Sequence, residues 1–470
     1  MEVKIMDAAR IFPSRPPFDQ DHILLLSHLD NDPNVQVNFR YVRAYTNSPT
    51  TNITDTTTIT VTLVTPLDPF HVISKALSNA LVHYYPFAGV LRRRRPTDAR
   101  LELHCAAKQS ILLLRATANC SLASVNHLED PREPILEQLA PEPDSEADSL
   151  SQPFVLQLTI FTCGGFSLGA SIHHSLCDGL GSTQFFNAVA EFARGAARPS
   201  VEPVWDRLSL LGPREPARAE APVREVLVLD REFRPYLTPS RGVVRECFHL
   251  RDESVERFKR VLYELSEQRF TTFEALGAFI WRNRVKASKV PETEKVKFAY
   301  STNIRNQLNP PLPQGYYGNG CVPIYVQLTA NQLVAQPVWK TAELIKRSKR
   351  NATDEYVRSY IDFQELHYTE GISVGMEVSG FTDWRHLGHS TVDFGWGGPV
   401  AVMPLSRNLL GSQEVCFFLP YCCIGGEGKR YGFQVLVSVA EDGLSDFRSE
   451  MEKLEGEFVG HVGINPASNF

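Results

Sequence analysis

The segment Ser171-Ile172-His173-His174-Ser175-Leu176-Cys177-Asp178-Gly179 combines residue types and spacing suited to acid–base chemistry. Imidazole changes charge near neutral pH, and one ring nitrogen can face a cleft while the backbone or a carboxylate holds the other. A histidine so placed takes a proton from an attacking group and returns it to a leaving group. The H-x-x-x-D step alone is weak, because it occurs three times, at His28…Asp32, His174…Asp178 and His389…Asp393. About one match is expected by chance in a chain of this length. The doubled histidine, the trailing Gly179 and the strand-to-helix context single out the middle copy. On these residues alone His174 stands between a general base and a satisfied structural histidine.

The elements that must hold it are readable on both sides. Phe154 to Cys163 and the alternating run Phe166 to Ile172 predict two strands around a Gly164-Gly165 turn, with His174 just past the second. After Asp178 the period lengthens, and Phe185, Val189 and Phe192 predict a helix through Ala193, capped by Asp178 and stopped at Gly195. Upstream, Thr56 to Val64 predicts a strand, and Asp68-Pro69 with Ile73, Leu77, Leu81 and Tyr84 predict a capped helix ending before Pro86. Arg92 to Arg95 predict a solvated loop between strands, a phosphate grip being the alternative. Arg100 to Cys105 and Ile111 to Leu114 read as strands, and Pro141 to Ser149 as an acidic surface loop.

Residues 196–225 carry five prolines and few bulky apolar side chains, which reads as a linker between domains at 1–195 and 226–470. The second half opens with a strand from Gly242 to Leu250 and a helix on Val255, Phe258, Leu262 and Leu265. The capping box Thr271-x-x-Glu274 starts another helix, and Val296 to Tyr300 predicts a strand leading to Asn303-Ile304-Arg305. A rigid loop of Pro, Gly and Tyr follows from Asn309 to Gly320. Ser390 to Phe394 predicts a short strand, Val415 to Cys422 and Tyr431 to Val439 late strands, and Leu444 to Leu454 a last helix. The class is α/β or α+β.

Length and composition narrow the function. At 470 residues the chain exceeds what one core serves, and 43% hydrophobic with 22% charged residues is ordinary for a globular protein. A net charge of −6 argues against a general nucleic-acid or anionic-membrane binder, and no stretch is long and apolar enough to span a bilayer. The N-terminus lacks the regions of a secretory signal and no retention or peroxisomal tail closes the chain, so a cytoplasmic location is expected. Nine cysteines without C-x-x-C spacing indicate neither a zinc site nor a disulfide framework, and no metal is expected.

Four separated stretches, YYPFAG at 84–89, HHSLCDG at 173–179, NPPLPQGYYGN at 309–319 and DFGWGGP at 393–399, resemble in order and spacing the plant BAHD acyl-CoA-dependent acyltransferases. The resemblance covers nearly the whole chain. FTCGGF at 161–166, ARG at 193–195 and GYYGN at 315–319 are similar to the branch with alcohol, benzoyl and taxane acyltransferases. It implies an α/β fold of two chloramphenicol-acetyltransferase-like domains, each a mixed sheet with helices, joined by a long crossover loop around a solvent channel. It implies acyl-CoA as co-substrate with no bound cofactor, a small-molecule alcohol as acceptor and a monomeric chain; which residues contact CoA stays unassigned. Within the catalytic motif His174 would be the general base and Asp178 would turn from the substrate onto an arginine, for which Arg305 is the candidate. Gly179 would support the site, and Asp393, Gly395, Trp396 and Gly397 would form a loop holding the domain interface. This chain departs from the family pattern at Val90 and Gly398, where basic residues are usual.

In the chemistry so implied, a hydroxyl loses its proton to His174 as it attacks a thioester, and the thiolate leaves without an acyl-enzyme. The Trp396 indole N–H or a neighbouring amide is the candidate donor to the oxyanion. An amine acceptor, a non-catalytic relative and a carrier-dependent condensation domain are alternatives. So is a serine hydrolase, because Gly165-Phe166-Ser167-Leu168-Gly169 fits G-x-S-x-G.

Overall fold

The computed structural model describes residues 1–47, 68–95, 98–220, 223–230, 242–375, 378–420 and 432–456. Two six-stranded mixed sheets organise them. The first runs, edge to edge, Val3–Ile11, Ile111–Ala118, Phe154–Ile160, Phe166–His173, Asn38–Tyr45 and Ala401–Pro404. The second runs Val243–Arg251, Gly432–Ala440, Glu414–Phe418, Val378–Asp383, Lys295–Asn303 and Cys321–Thr329. Each has its own buried apolar cluster, and the first cluster takes in Trp384, Phe394, Val402 and Phe417 from the second half of the chain.

Helices Pro69–His83 and Gly179–Ala193 pack together beside the first sheet. Both start where local chemistry dictates. Asp68 accepts from the Phe70 N–H at 3.1 Å, ahead of a proline in the first turn, and Asp178 accepts from the Gly181 N–H at 2.9 Å. Around the second sheet lie helices Asp252–Ser266, Thr272–Ala287, Val338–Ser348 and Leu444–Glu455, and the box at Thr271 and Glu274 closes in both directions.

Several expectations need correction. The link between Phe154–Ile160 and Phe166–His173 spans residues 161–165 and is not a two-residue Gly-Gly turn: pairing ends at Ile160 and Phe166, and buried Phe161 donates its N–H to the Gly165 carbonyl at 2.9 Å. Arg92 to Arg94 lie in the edge strand Val90–Arg95 of a small three-stranded sheet and not in a loop; charged side chains on an exposed edge discourage further strand pairing. The acidic stretch contains the short helix Glu146–Ser151, capped by Ser145. Residues 390–394 form no strand, because a 3-10 turn at His389–Thr391 carries the chain past this point.

The strand lies instead at Ala401–Pro404, fully buried and antiparallel to Tyr41–Ala44, so the span 226–470 contributes a strand to the first sheet. The crossover at 196–225 is anchored rather than merely solvated: its Arg207 is buried on Asp30 at 2.8 Å, and its Arg214 reaches Asp362 at 2.6 Å. The strand expected from Thr56 to Val64 and the end of the one expected from Val415 to Cys422 lie outside the described residues.

Candidate active site

His174 emerges one residue beyond the strand Phe166–His173 and is gripped by its backbone on both sides. Its N–H donates to the Val37 carbonyl at 2.8 Å, and its carbonyl accepts from Asn319 Nδ2 at 2.8 Å. The ring meets Phe39 edge-on, with centroids 6.3 Å apart. Burial pushes its pKa below that of a free imidazole, although the nearby Asp178 charge opposes the shift, so the resting ring is neutral. The Asn319 side chain and the residue's own backbone also favour the protonated ring, against the larger effect of burial, and His174 lines the cavity. The neighbouring His173 is structural: its Nδ1 accepts from the Ser175 N–H at 3.3 Å, and burial drives its pKa to about 3.

Asp178 is committed to the scaffold. Its two oxygens accept from Arg305 Nη1 at 2.9 Å and Nη2 at 3.0 Å, and from the Gly181 and Gly320 N–H groups, each at 2.9 Å. Burial alone would raise its pKa, but the Arg305 guanidinium and the backbone donors outweigh that and hold it below the usual carboxylate range. Among the described residues no hydrogen bond joins it to His174. Asp178 ties the start of helix Gly179–Ala193 to the loop after Lys295–Asn303 and acts on the histidine only through space. Gly179 lines the cavity, and a Cβ there would stand 3.0 Å from Leu387.

A second anchor had no signature in the sequence. Asp30 Oδ1 accepts from Arg207 Nη1 at 2.8 Å and from Asn319 Nδ2 at 2.8 Å, while Arg207 Nη2 donates to the Leu176 carbonyl at 2.6 Å. Asp30 and Arg207 are fully buried side chains. The Asn319 amide that orients the His174 backbone is thus fixed by an ion pair between the N-terminal segment and the crossover. Asn319 lies in the NPPLPQGYYGN loop, but Asp30 and Arg207 carry no local pattern that could have found them.

The histidine opens into a cavity of about 570 Å³ between the two sheets, walled by Phe39 and Tyr41 on one side and by Tyr300, Phe381 and Trp384 on the other. A second cleft, about 710 Å³, lies across helix Gly179–Ala193 among Gln184, Glu191, Arg305 and Tyr316. Leu180, Asn303 and Leu387 line both.

The DFGWG loop lies elsewhere. Asp393 Oδ1 accepts from the Gly395 and Gly397 N–H groups at 2.7 and 2.8 Å, closing a turn in which both glycines have positive φ. Trp396 packs edge-on against Phe166, centroids 5.4 Å apart. Phe166 begins the strand that His174 follows, and at about 3.3 Å per residue the indole sits roughly 25 Å from His174. Trp396 therefore cannot donate to an oxyanion there. The loop joins the far end of helix Gly179–Ala193 through a hydrogen bond from Arg194 to the Asp393 carbonyl.

Nor does the hydrolase pattern survive. Ser167 is fully buried within a strand, opposite Thr159 and Ala44, where a nucleophile elbow needs a strand-to-helix turn. The other two H-x-x-x-D copies do not pair internally either: His28 bonds Glu365, and His389 bonds Arg43.

Two sheet-and-helix lobes with a histidine in the cavity between them define a two-lobed, chloramphenicol-acetyltransferase-like fold. The crystal structure of vinorine synthase superposes with a TM-score of 0.72 over 97% of this chain and 98% of that one, at 19% identity. A family model described as "Transferase family" matches residues 1–454. The chain is 33% identical to a spermidine sinapoyl-CoA acyltransferase of Arabidopsis thaliana, over 92% of this chain and 93% of the relative. It is 31% identical to a taxadien-5-alpha-ol O-acetyltransferase of Taxus cuspidata, over 98% of this chain and 99% of the relative. The chain belongs to this family, the plant BAHD acyltransferases, and is an acyl-CoA-dependent acyltransferase.

Proposed function

We propose that the chain transfers an acyl group from an acyl-CoA to a hydroxyl of a small plant metabolite, with His174 as the general base in direct attack. The observation that carries this is a neutral imidazole, held by its backbone on both sides, beside the residues that line both clefts. Neutral Nε2 takes the hydroxyl proton as the acceptor oxygen bonds to the thioester carbon. The C–S bond then breaks, and the imidazolium returns the proton to the departing thiolate. The thioester would arrive from the cleft beside Arg305 and the acceptor from the opposite mouth.

An amine acceptor is the second reading, favoured by the relative named for spermidine; the same base serves both. Incubation with acetyl-, benzoyl- and hydroxycinnamoyl-CoA against alcohol and amine panels, read by product mass, tests the assignment. Ester products support it, amide products alone move it to the second reading, and acyl-CoA left intact with every acceptor overturns both.

A further inference from the structure

One corner of the cavity is built to give hydrogen bonds. Phe39, Tyr41 and Arg43 alternate along the strand Asn38–Tyr45 and so share one face of the sheet. Arg43 is fully buried, yet among the described residues no carboxylate pairs with it. Its guanidinium lies 4.4 Å from the Phe186 ring centroid, donates to the Tyr41 hydroxyl oxygen at 3.2 Å and meets His389 Nδ1 at 3.0 Å.

A guanidinium only donates, so His389 Nδ1 must accept, which leaves the hydrogen of the neutral ring on Nε2. Burial and the Arg43 charge both push the His389 pKa well down, so the ring stays neutral. Nε2 has no partner among the described residues, although His389 is only 2% exposed and lines the cavity. The Tyr41 hydroxyl beside it shares a hydrogen bond of 2.8 Å with Ser182 Oγ, in which either oxygen can be the donor. An unfilled buried donor next to an unneutralised cation is costly unless something accepts from it.

The approach to this corner is flat and aromatic. From His174 the wall passes through Phe39 at 6.3 Å to Trp384 at 5.7 Å, and Trp384 stacks on His389 at 4.7 Å. Leu387, which lines both clefts, is two residues from His389, which puts this wall on the side of the cavity next to the second cleft. Given the acyltransferase reading above, we propose that the corner selects the acyl donor: an aromatic acyl group bearing a ring oxygen, which accepts from His389 Nε2. Trp384 and Phe39, in contact with each other, form one wall against the ring, and Arg43 is a positioning residue that sets the His389 tautomer.

Cinnamoyl-CoA and p-coumaroyl-CoA differ only by such an oxygen, and the ratio of their kcat/KM values with one fixed acceptor is the readout. Because the ratio is internal to each variant, a general loss of activity does not distort it. The wild-type chain should favour p-coumaroyl-CoA by roughly tenfold or more, the size of a hydrogen bond left unmade in a site built for it. His389→Leu should bring the ratio to about one, while His389→Gln, which keeps an N–H donor, should retain most of it. Arg43→Met, which frees the tautomer, should fall between. A wild-type ratio near one, or a preference that survives in His389→Leu, overturns the assignment while the acyltransferase reading stands. If the wild-type chain consumes no acyl-CoA with any acceptor, that reading fails and this one with it.

Discussion

Replacing Asp178 with alanine should damage the fold first and the chemistry only as a consequence. The carboxylate side chain is 6% exposed and its partner Arg305 15%, so removal leaves a largely buried guanidinium without its counter-charge. Breaking such a pair costs about 3–5 kcal/mol, and the lost cap at Gly181 adds about 1 kcal/mol. In a lobe of this size each kcal/mol lowers Tm by about 2–4 °C, so the drop should be roughly 10–20 °C. Calorimetry on the wild type, Asp178→Ala, Arg305→Met and the double variant reads this directly. The double should lose less than the two singles combined, since removing both charges leaves neither stranded. Asp178→Asn, which can still cap, should fall in between.

Acid gives an independent check with a definite sign. Because the folded-state pKa of Asp178 is depressed, its stabilisation is present above the unfolded value of about 3.9 and is lost as pH falls through the folded one. Asp178→Asn should therefore lose less stability than the wild type below about pH 4. An Asp178→Ala protein that melts within a degree or two of the wild type yet is as inactive as His174→Ala would refute this reasoning and put Asp178 in the chemistry.

Three further outcomes follow from the same geometry. Since burial lowers the His174 pKa, kcat/KM should be flat from neutral pH upward, with its acid limb centred below about 6.5; a midpoint above 7 would contradict the neutral resting base. Asn319→Ala releases the His174 carbonyl from the Asp30–Arg207 anchor and should lower kcat by roughly tenfold with a smaller change in KM, measured by steady-state kinetics on protein of checked Tm. Ser167→Ala removes a buried hydroxyl lacking a partner among the described residues, so kcat should stay near wild type and stability should change by about 1 kcal/mol or less.

What could be read from the chain was what neighbours in sequence decide. Asp178 as cap, the Thr271 box and the helix over Pro69–His83 depend on a few adjacent residues, and they stand as expected. The Asp178–Arg305 pair came from motif resemblance, since 127 residues separate its partners. Long-range pairing escaped. Asp30 and Asn319 are 289 residues apart, and nothing local in either marks the contact. Alternating polar and apolar residues at 390–394 imitate a strand, whereas Ala401–Pro404 is a strand because the first sheet's edge at Tyr41–Ala44 takes it up. The proline-rich crossover resembles a solvated linker by composition, but Arg207 buries itself on Asp30 and tethers it. Trp396 shares a sequence motif with no residue of the cavity wall, and its contact with Phe166 sets it at the other end of the strand from His174.

The central claim is that His174 moves the proton. Acceptor-dependent release of free CoA should be measured for the wild type and for His174→Ala at matched folding, with the Tm of both recorded. A fall of 10²-fold or more in kcat with Tm within a few degrees is the predicted result. Release that persists at near wild-type rate in His174→Ala would contradict it, and some other group would have to serve as the base.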